Sequence, residues 1–162
     1  MNPSSSAMIR SLFISKGALE KGAVRPKEVP DQRVKTVGVL GSGMMGAGIA
    51  LVAAQAGVEV VLVDQNQDVA DKGKAYSEKY LNAGIKRGKV SDKNKIETLN
   101  RILATDDYTK LSAADLIIEA VFEDTQVKSD VTKAVLEIVP KDCIFASNTC
   151  LLYTSPSPRD TG

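Results

Sequence analysis

The stretch that decides the reading is TVGVLGSGMMGAGIALVAAQAGVEVVLVD, residues 36 to 64. It opens with Thr36 to Leu40, an apolar run of strand length, and passes through a glycine cluster into Met44 to Ala56, whose small and apolar residues suit a buried helix. Gly57 is placed to stop that helix. A second apolar run, Val58 to Val63, follows at once and ends on Asp64. Strand, helix and strand in about thirty residues is the length of a βαβ unit with parallel strands.

Between the first strand and the helix, Gly41, Gly43 and Gly46 spell GxGxxG. Gly41 permits a tight turn, Gly43 removes a side chain so that a pyrophosphate can approach the backbone, and Gly46 lets helix and strand pack closely. A pyrophosphate there meets unpaired amides and a partial charge of roughly +0.5 from the aligned peptide dipoles. Such a loop can also exist for packing alone. Here Asp64 stands eighteen residues after Gly46, at a strand end, where a carboxylate accepts hydrogen bonds from adenosine ribose hydroxyls. It would repel a 2'-phosphate, and Gln65 and Asn66 supply no cation to receive one, so the expected cofactor is NAD rather than NADP.

Outward from this unit the alternation continues. Residues 67 to 100 read as two charged outer helices broken near Gly84 and Gly88, with Ser91 as N-cap of the second. Then come strands at Ile102 to Ala104 and Asp115 to Val121, a helix from Thr125 to Ile138, and a strand from Cys143 to Ala146. The expected fold is α/β, a Rossmann-type open parallel sheet with helices on both faces, over residues 33 to 149. Residues 1 to 32 read as a linker with one amphipathic helix carrying Met8, Ile9, Leu12, Phe13 and Leu19, broken by Pro26 and Pro30. A mitochondrial presequence and a connecting helix are both compatible with this start. Residues 150 to 162 abandon the pattern. Because Cys150 to Asp160 can be encoded by a transposase adaptor used in sequencing-library preparation, this tail is expected to be non-native and the chain a truncated fragment.

With 162 residues, 43% hydrophobic and 25% charged, the chain has room for one globular domain and its flanks. A net charge of +1 gives no bulk attraction for nucleic acid or an anionic membrane, and the apolar runs are strand-sized, so no nucleic-acid partner and no membrane span are expected. Two cysteines without a CxxC pair suggest neither a disulfide framework nor a zinc site, and no metal is expected. There is no histidine, so the commonest general base is missing and no catalytic residue is assigned.

Three motifs in order, GSGMMGAGIA at 41 to 50, ADLIIEAVFED at 114 to 124 and FASNT at 145 to 149, make residues 33 to 149 resemble the 3-hydroxyacyl-CoA dehydrogenase family. The resemblance is strongest to the multifunctional α subunits of bacterial fatty-acid β-oxidation complexes, and MIRSLFIS at 8 to 15 is similar to their connecting helix. It implies that Met45, Asp64, Val121, Phe122, Glu123 and Lys128 touch NAD and that Asn148 walls the site. Periodicity alone reads Val121 and Phe122 as core, Glu123 as a solvated helix-entry acid and Lys128 as a surface lysine. The family motif has a serine after FASNT, where this chain has Cys150.

The implied reaction oxidises an L-3-hydroxyacyl-CoA to the 3-ketoacyl-CoA, with a histidine, oriented by a glutamate, as base. In the family both that histidine and a helical domain follow the FASNT segment, so this chain is expected to bind NAD weakly and turn nothing over. Implied partners are an acyl-CoA substrate and a thiolase subunit, in bacterial cytoplasm or, in a eukaryote, the mitochondrion. Two other readings share the glycine loop: another β-hydroxyacid or sugar-nucleotide dehydrogenase, and a non-catalytic NAD-binding module.

Overall fold

The computed structural model describes residues 3–22, 26, 28, 34–121 and 125–148. The chain divides into two units, residues 1–33 and 34–162. In the first, helix α1 spans Pro3–Glu20 and begins earlier than the apolar spacing suggests, with proline in its first turn, where a missing amide costs nothing. Met8, Ile9, Leu12, Phe13 and Leu19 are all exposed on it. Pro30 lies outside the described residues. No helix among the described residues is long and apolar enough to cross a membrane.

The second unit holds strands β1 (Thr36–Leu40), β2 (Glu59–Val63), β3 (Ile102–Thr105), β4 (Leu116–Glu119) and β5 (Ile144–Ser147). They form one parallel sheet in the order β3-β2-β1-β4-β5. Helices α2 (Met44–Gln55), α3 (Gln67–Lys86), α4 (Asp92–Asn100) and α5 (Thr125–Leu136) complete it. Successive side chains on a strand point to opposite faces, so the apolar strands feed two cores. Val37, Val39, Val60 and Leu62 pack with Ala50 and Ala54 of α2 on one face. Leu40, Val61, Val63 and Ile117 pack with Val135 of α5 and with Leu111 on the other. The expected Rossmann-type open sheet with helices on both faces is the observed one.

Local chemistry sets the boundaries. Gly57, at φ +88°, follows α2 in the left-handed region that favours glycine. The Ser91 hydroxyl accepts from Asn94 N at 3.1 Å and caps α4. The structure differs from the sequence expectation at three places. Helix α3 runs through Gly84 to Lys86, and the reversal comes only at Gly88, φ +66°. Gly84 serves contact instead, since a Cβ there would stand 2.6 Å from Val90 Cγ2. Strand β4 is shorter than Asp115 to Val121, because Val121 N turns to the Glu119 side chain at 2.9 Å and leaves the ladder. A 3₁₀ helix at Tyr108–Ala113 was not expected; so short an element has no periodic signal, and it is fixed by burial of Leu111.

Leu111 is fully buried over Gly38, whose missing side chain makes room for it and for Ile117. Leu111→Ala is expected to cost about 2–5 kcal/mol in urea unfolding, the range for a buried leucine leaving a cavity. At the other end of the sheet, the Asp115 carboxylate accepts from Lys35 N at 2.7 Å and Thr36 N at 2.9 Å, tying β1 to β4. These bonds, Thr36's foremost, hold its carboxyl below the usual aspartate value. A lowered folded value means stabilisation that is present above the unfolded pKa and lost as pH falls through the folded one. The urea midpoints of the parent and Asp115→Ala should therefore differ at neutral pH and converge below about pH 4.

Candidate functional site

Strand β1 is flanked by β2 on one side and β4 on the other, so successive connections leave in opposite directions and a crevice opens at the strands' carboxyl ends. Gly41 makes the turn out of β1 at φ +91°, and its amide donates to Val63 O at 2.8 Å. Two constraints forbid a side chain there: the backbone conformation, and Ala120 O, 2.7 Å from where a Cβ would stand. Gly46 is buried, and a Cβ on it would collide with the Gly41 carbonyl, so it serves helix–strand packing as its place in the motif suggests. Gly43 has open space where a Cβ would be. It is the N-cap of α2, and no side chain caps that helix.

A cleft of about 740 Å³ lies over this turn. Of the residues singled out in the sequence, Gly41, Gly43, Met45, Asp64, Val121 and Asn148 all line it. Asn148 is seated by its amide, which donates to Glu119 O at 2.8 Å. Phe122 and Glu123 lie outside the described residues. Lys128 is not among the lining residues and is not on the surface. It is 6% exposed, and its ammonium stands 3.0 Å from Glu119 Oε2. Glu119 accepts in addition from Val121 N at 2.9 Å and Ser147 Oγ at 2.6 Å, so one buried carboxylate joins β4, α5, β5 and the turn after β4.

Asp64 is already engaged. Its Oδ2 accepts from Ser42 N at 2.6 Å and Ser42 Oγ at 2.7 Å, and its Oδ1 accepts from Gln65 N at 2.8 Å. A carboxylate offers about four acceptor positions, so one remains on Oδ1 to meet a hydroxyl from the cleft. Tyr108, on the unexpected 3₁₀ helix, also lines the cleft. Burial, and then the negative charge of Asp64, push its phenol above the ordinary value, so its ring stands there neutral. Burial first, then the charges of Asp115 and Asp142, likewise raise the Cys143 thiol, which disfavours the reactive thiolate.

Ser42, Tyr108, Glu119 and Ser147 escaped the sequence reading. Ser42 and Ser147 sit inside quoted motifs as ordinary small polar residues, and Tyr108 sits on the element with no periodicity. Glu119 was legible in principle. A lone acid inside the run Leu116 to Val121 needs a partner if it is buried.

The residues present fit a dinucleotide. An uncapped helix start faces the cleft through a bare Cα at Gly43, and an oriented carboxylate with a spare acceptor stands at the neighbouring strand tip. Amides and helix dipole suit two linked phosphates, the carboxylate suits a ribose hydroxyl, and no cation among Gln65, Asn66 and Gln67 awaits a 2'-phosphate. Fold and site together define an NAD-binding domain of the Rossmann class. The chain belongs to the family described as "3-hydroxyacyl-CoA dehydrogenase, NAD binding domain", whose sequence profile matches residues 36–156.

Relatives agree. Over 112 residues the chain is 44% identical to a probable 3-hydroxybutyryl-CoA dehydrogenase of Deinococcus radiodurans, covering 69% of this chain and 40% of that protein. It is 38% identical over 139 residues to the fatty acid oxidation complex subunit alpha of Psychrobacter cryohalolentis, covering 85% of this chain and 19% of that one. Among solved structures it is similar to (S)-3-hydroxybutyryl-CoA dehydrogenase from Ralstonia eutropha, with TM-score 0.70 and 38% identity over 72% of this chain and 41% of the other. The chain thus spans less than half the length of the relatives it matches.

Lys128→Met should destabilise the domain by about 3–5 kcal/mol, since it leaves Glu119 buried without its counter-charge. Adding Glu119→Gln should return part of that loss in the same denaturation experiment. A loss in the double variant equal to the sum of the Lys128→Met and Glu119→Gln losses would show that the pair does not act as a unit.

Proposed function

We propose that the protein to which this chain belongs is an NAD-dependent L-3-hydroxyacyl-CoA dehydrogenase of fatty-acid β-oxidation, and that this chain is its cofactor-holding part. The observation that carries the reading is the uncapped start of α2, open to the cleft at Gly43, with Asp64 beside it. Family membership and the names of the relatives support the acyl-CoA substrate. Relatives named as subunits of a fatty acid oxidation complex support a partner subunit, for which a thiolase is the chemical expectation, since a 3-ketoacyl-CoA is cleaved next. Because those relatives are bacterial, we place the protein in the cytoplasm.

When bound, NAD supplies the hydride acceptor. The chain's own residues bind and orient. Amides at the start of α2 hold phosphate, Asp64 accepts from the adenosine ribose, and Val121 and Asn148 wall the cleft at the ends of β4 and β5. Buried Glu119, tied to Lys128 and Ser147, keeps that wall in register. In the reaction that the family resemblance implies, a histidine takes the proton of the substrate hydroxyl, and since the sequence has none we assign that step to a group outside these 162 residues. A missing positioned base removes about 10² to 10⁴ in rate.

Fluorescence titration of the full chain should show NADH uptake, with NADPH at least about tenfold weaker, the effect of roughly 1.4 kcal/mol of charge repulsion. Incubation with 3-hydroxybutyryl-CoA and NAD should give no sustained NADH. A folded chain that takes up no NADH would overturn the cofactor-holding role, and steady NADH formation would overturn the assignment of the base to another segment.

A further inference from the structure

The glycine loop holds one side chain whose contacts are not accounted for by phosphate binding. Ser42 is 6% exposed, and its backbone amide and its hydroxyl both reach the same oxygen, Asp64 Oδ2, at 2.6 and 2.7 Å. The hydroxyl oxygen is also 2.8 Å from Val69 O in the first turn of α3. One proton serves two acceptors there, and the ionised one makes the stronger bond. On its other side Ser42 meets Gly73 of α3. A Cβ on Gly73 would stand 2.6 Å from Ser42 Cβ and 2.8 Å from Ser42 O, so the serine is wedged between helix and carboxylate with no room to retreat. Asp64 is held from its own backbone as well, its amide donating to Thr105 O at 3.2 Å.

We propose that Ser42 is a positioning residue that fixes the preference for NAD over NADP, by pinning the Asp64 carboxylate where the ribose hydroxyls must meet it. A carboxylate on a free side chain has two ways to lower the cost of a 2'-phosphate: it rotates away, or it lets water in between. Two bonds from Ser42 to one oxygen close the first route. The same bonds settle the rotamer before the cofactor arrives, so NAD binding does not carry that ordering cost. The serine touches Asp64 rather than the cofactor, so its effect must pass through Asp64.

The inference rests on NAD as cofactor, and the unmodified 162-residue chain is titrated first. Ser42→Ala should weaken NADH binding about three- to tenfold, the worth of ordering one side chain. NADPH should weaken less, so that the NADPH-to-NADH ratio of Kd narrows. Reduced nicotinamide mononucleotide, which lacks the adenosine, should bind as before. In an Asp64→Ala background the Ser42→Ala change should have no further effect on NADH. Ser42→Cys fills the space against Gly73 with a weak donor and should repeat the Ser42→Ala pattern even if the smaller side chain unsettles the fold. An unchanged Kd ratio, equal loss of NADH and the mononucleotide, or additive losses with Asp64→Ala would each overturn the proposal while leaving the cofactor role intact. Absence of NADH uptake by the unmodified chain would sink both.

Discussion

The structure depends on one close passage of backbone. Gly41 leaves β1 at a conformation closed to side chains, 2.7 Å from Ala120 O measured from where its Cβ would lie, and its amide is held by Val63 O. That single residue therefore joins the ends of β1, β2 and β4. If the chain could not turn there, α2 would not start under the crevice between the two halves of the sheet, and its amides would point elsewhere. A helix start is an anion site only where something leaves it open. The bare Cα of Gly43 and the absence of a side-chain cap do that here.

Around this passage the polar groups are placed in two clusters, one on each side. Near β2 the Asp64 carboxylate is fixed by Ser42 and Gln65, and near β4 the Glu119 carboxylate is fixed by Lys128, Ser147 and Val121. The two acids do different work because their surroundings differ. Asp64 is half-buried at the lip of the cleft with an acceptor position to spare, so it can meet a ligand. Glu119 is buried beneath the wall and neutralised by a lysine, so it orders the turn that carries Val121 and the strand end that carries Asn148. Buried ion pairs contribute little net stability, because desolvation offsets the attraction, and are better understood as fixing one arrangement among several.

Much of this was legible in residue order. The glycine spacing, the apolar alternation and the acid at the tip of β2 are local patterns, and each corresponds to a local structure: a turn, a strand with two buried faces, a strand end. Thr36–Leu40 and the Ser91 cap fell where the pattern placed them. The 3₁₀ helix at Tyr108–Ala113 did not announce itself, since six residues give no period to read and Leu111 is held by tertiary packing, over Gly38 and against Leu40, Val61, Val63 and Ile117. Lys128 shows the same limit from the other side. Its helical position is compatible with a solvated surface, and burial follows only once β4 brings Glu119 beneath it.

By itself the sequence determined the α/β class, the glycine turn and the place of an acid at the tip of β2. These follow from contacts between residues close in the chain and from periodicities that any strand or helix must obey. What only the tertiary structure decided is which polar groups meet. Ser42 reaches Asp64 across 22 residues and Ser147 reaches Glu119 across 28, distances over which no local pattern constrains a partner. Those pairings exist because a parallel sheet stacks the carboxyl ends of separate strands at one edge, and a carboxylate left there must find its donors among whatever the neighbouring strands deliver.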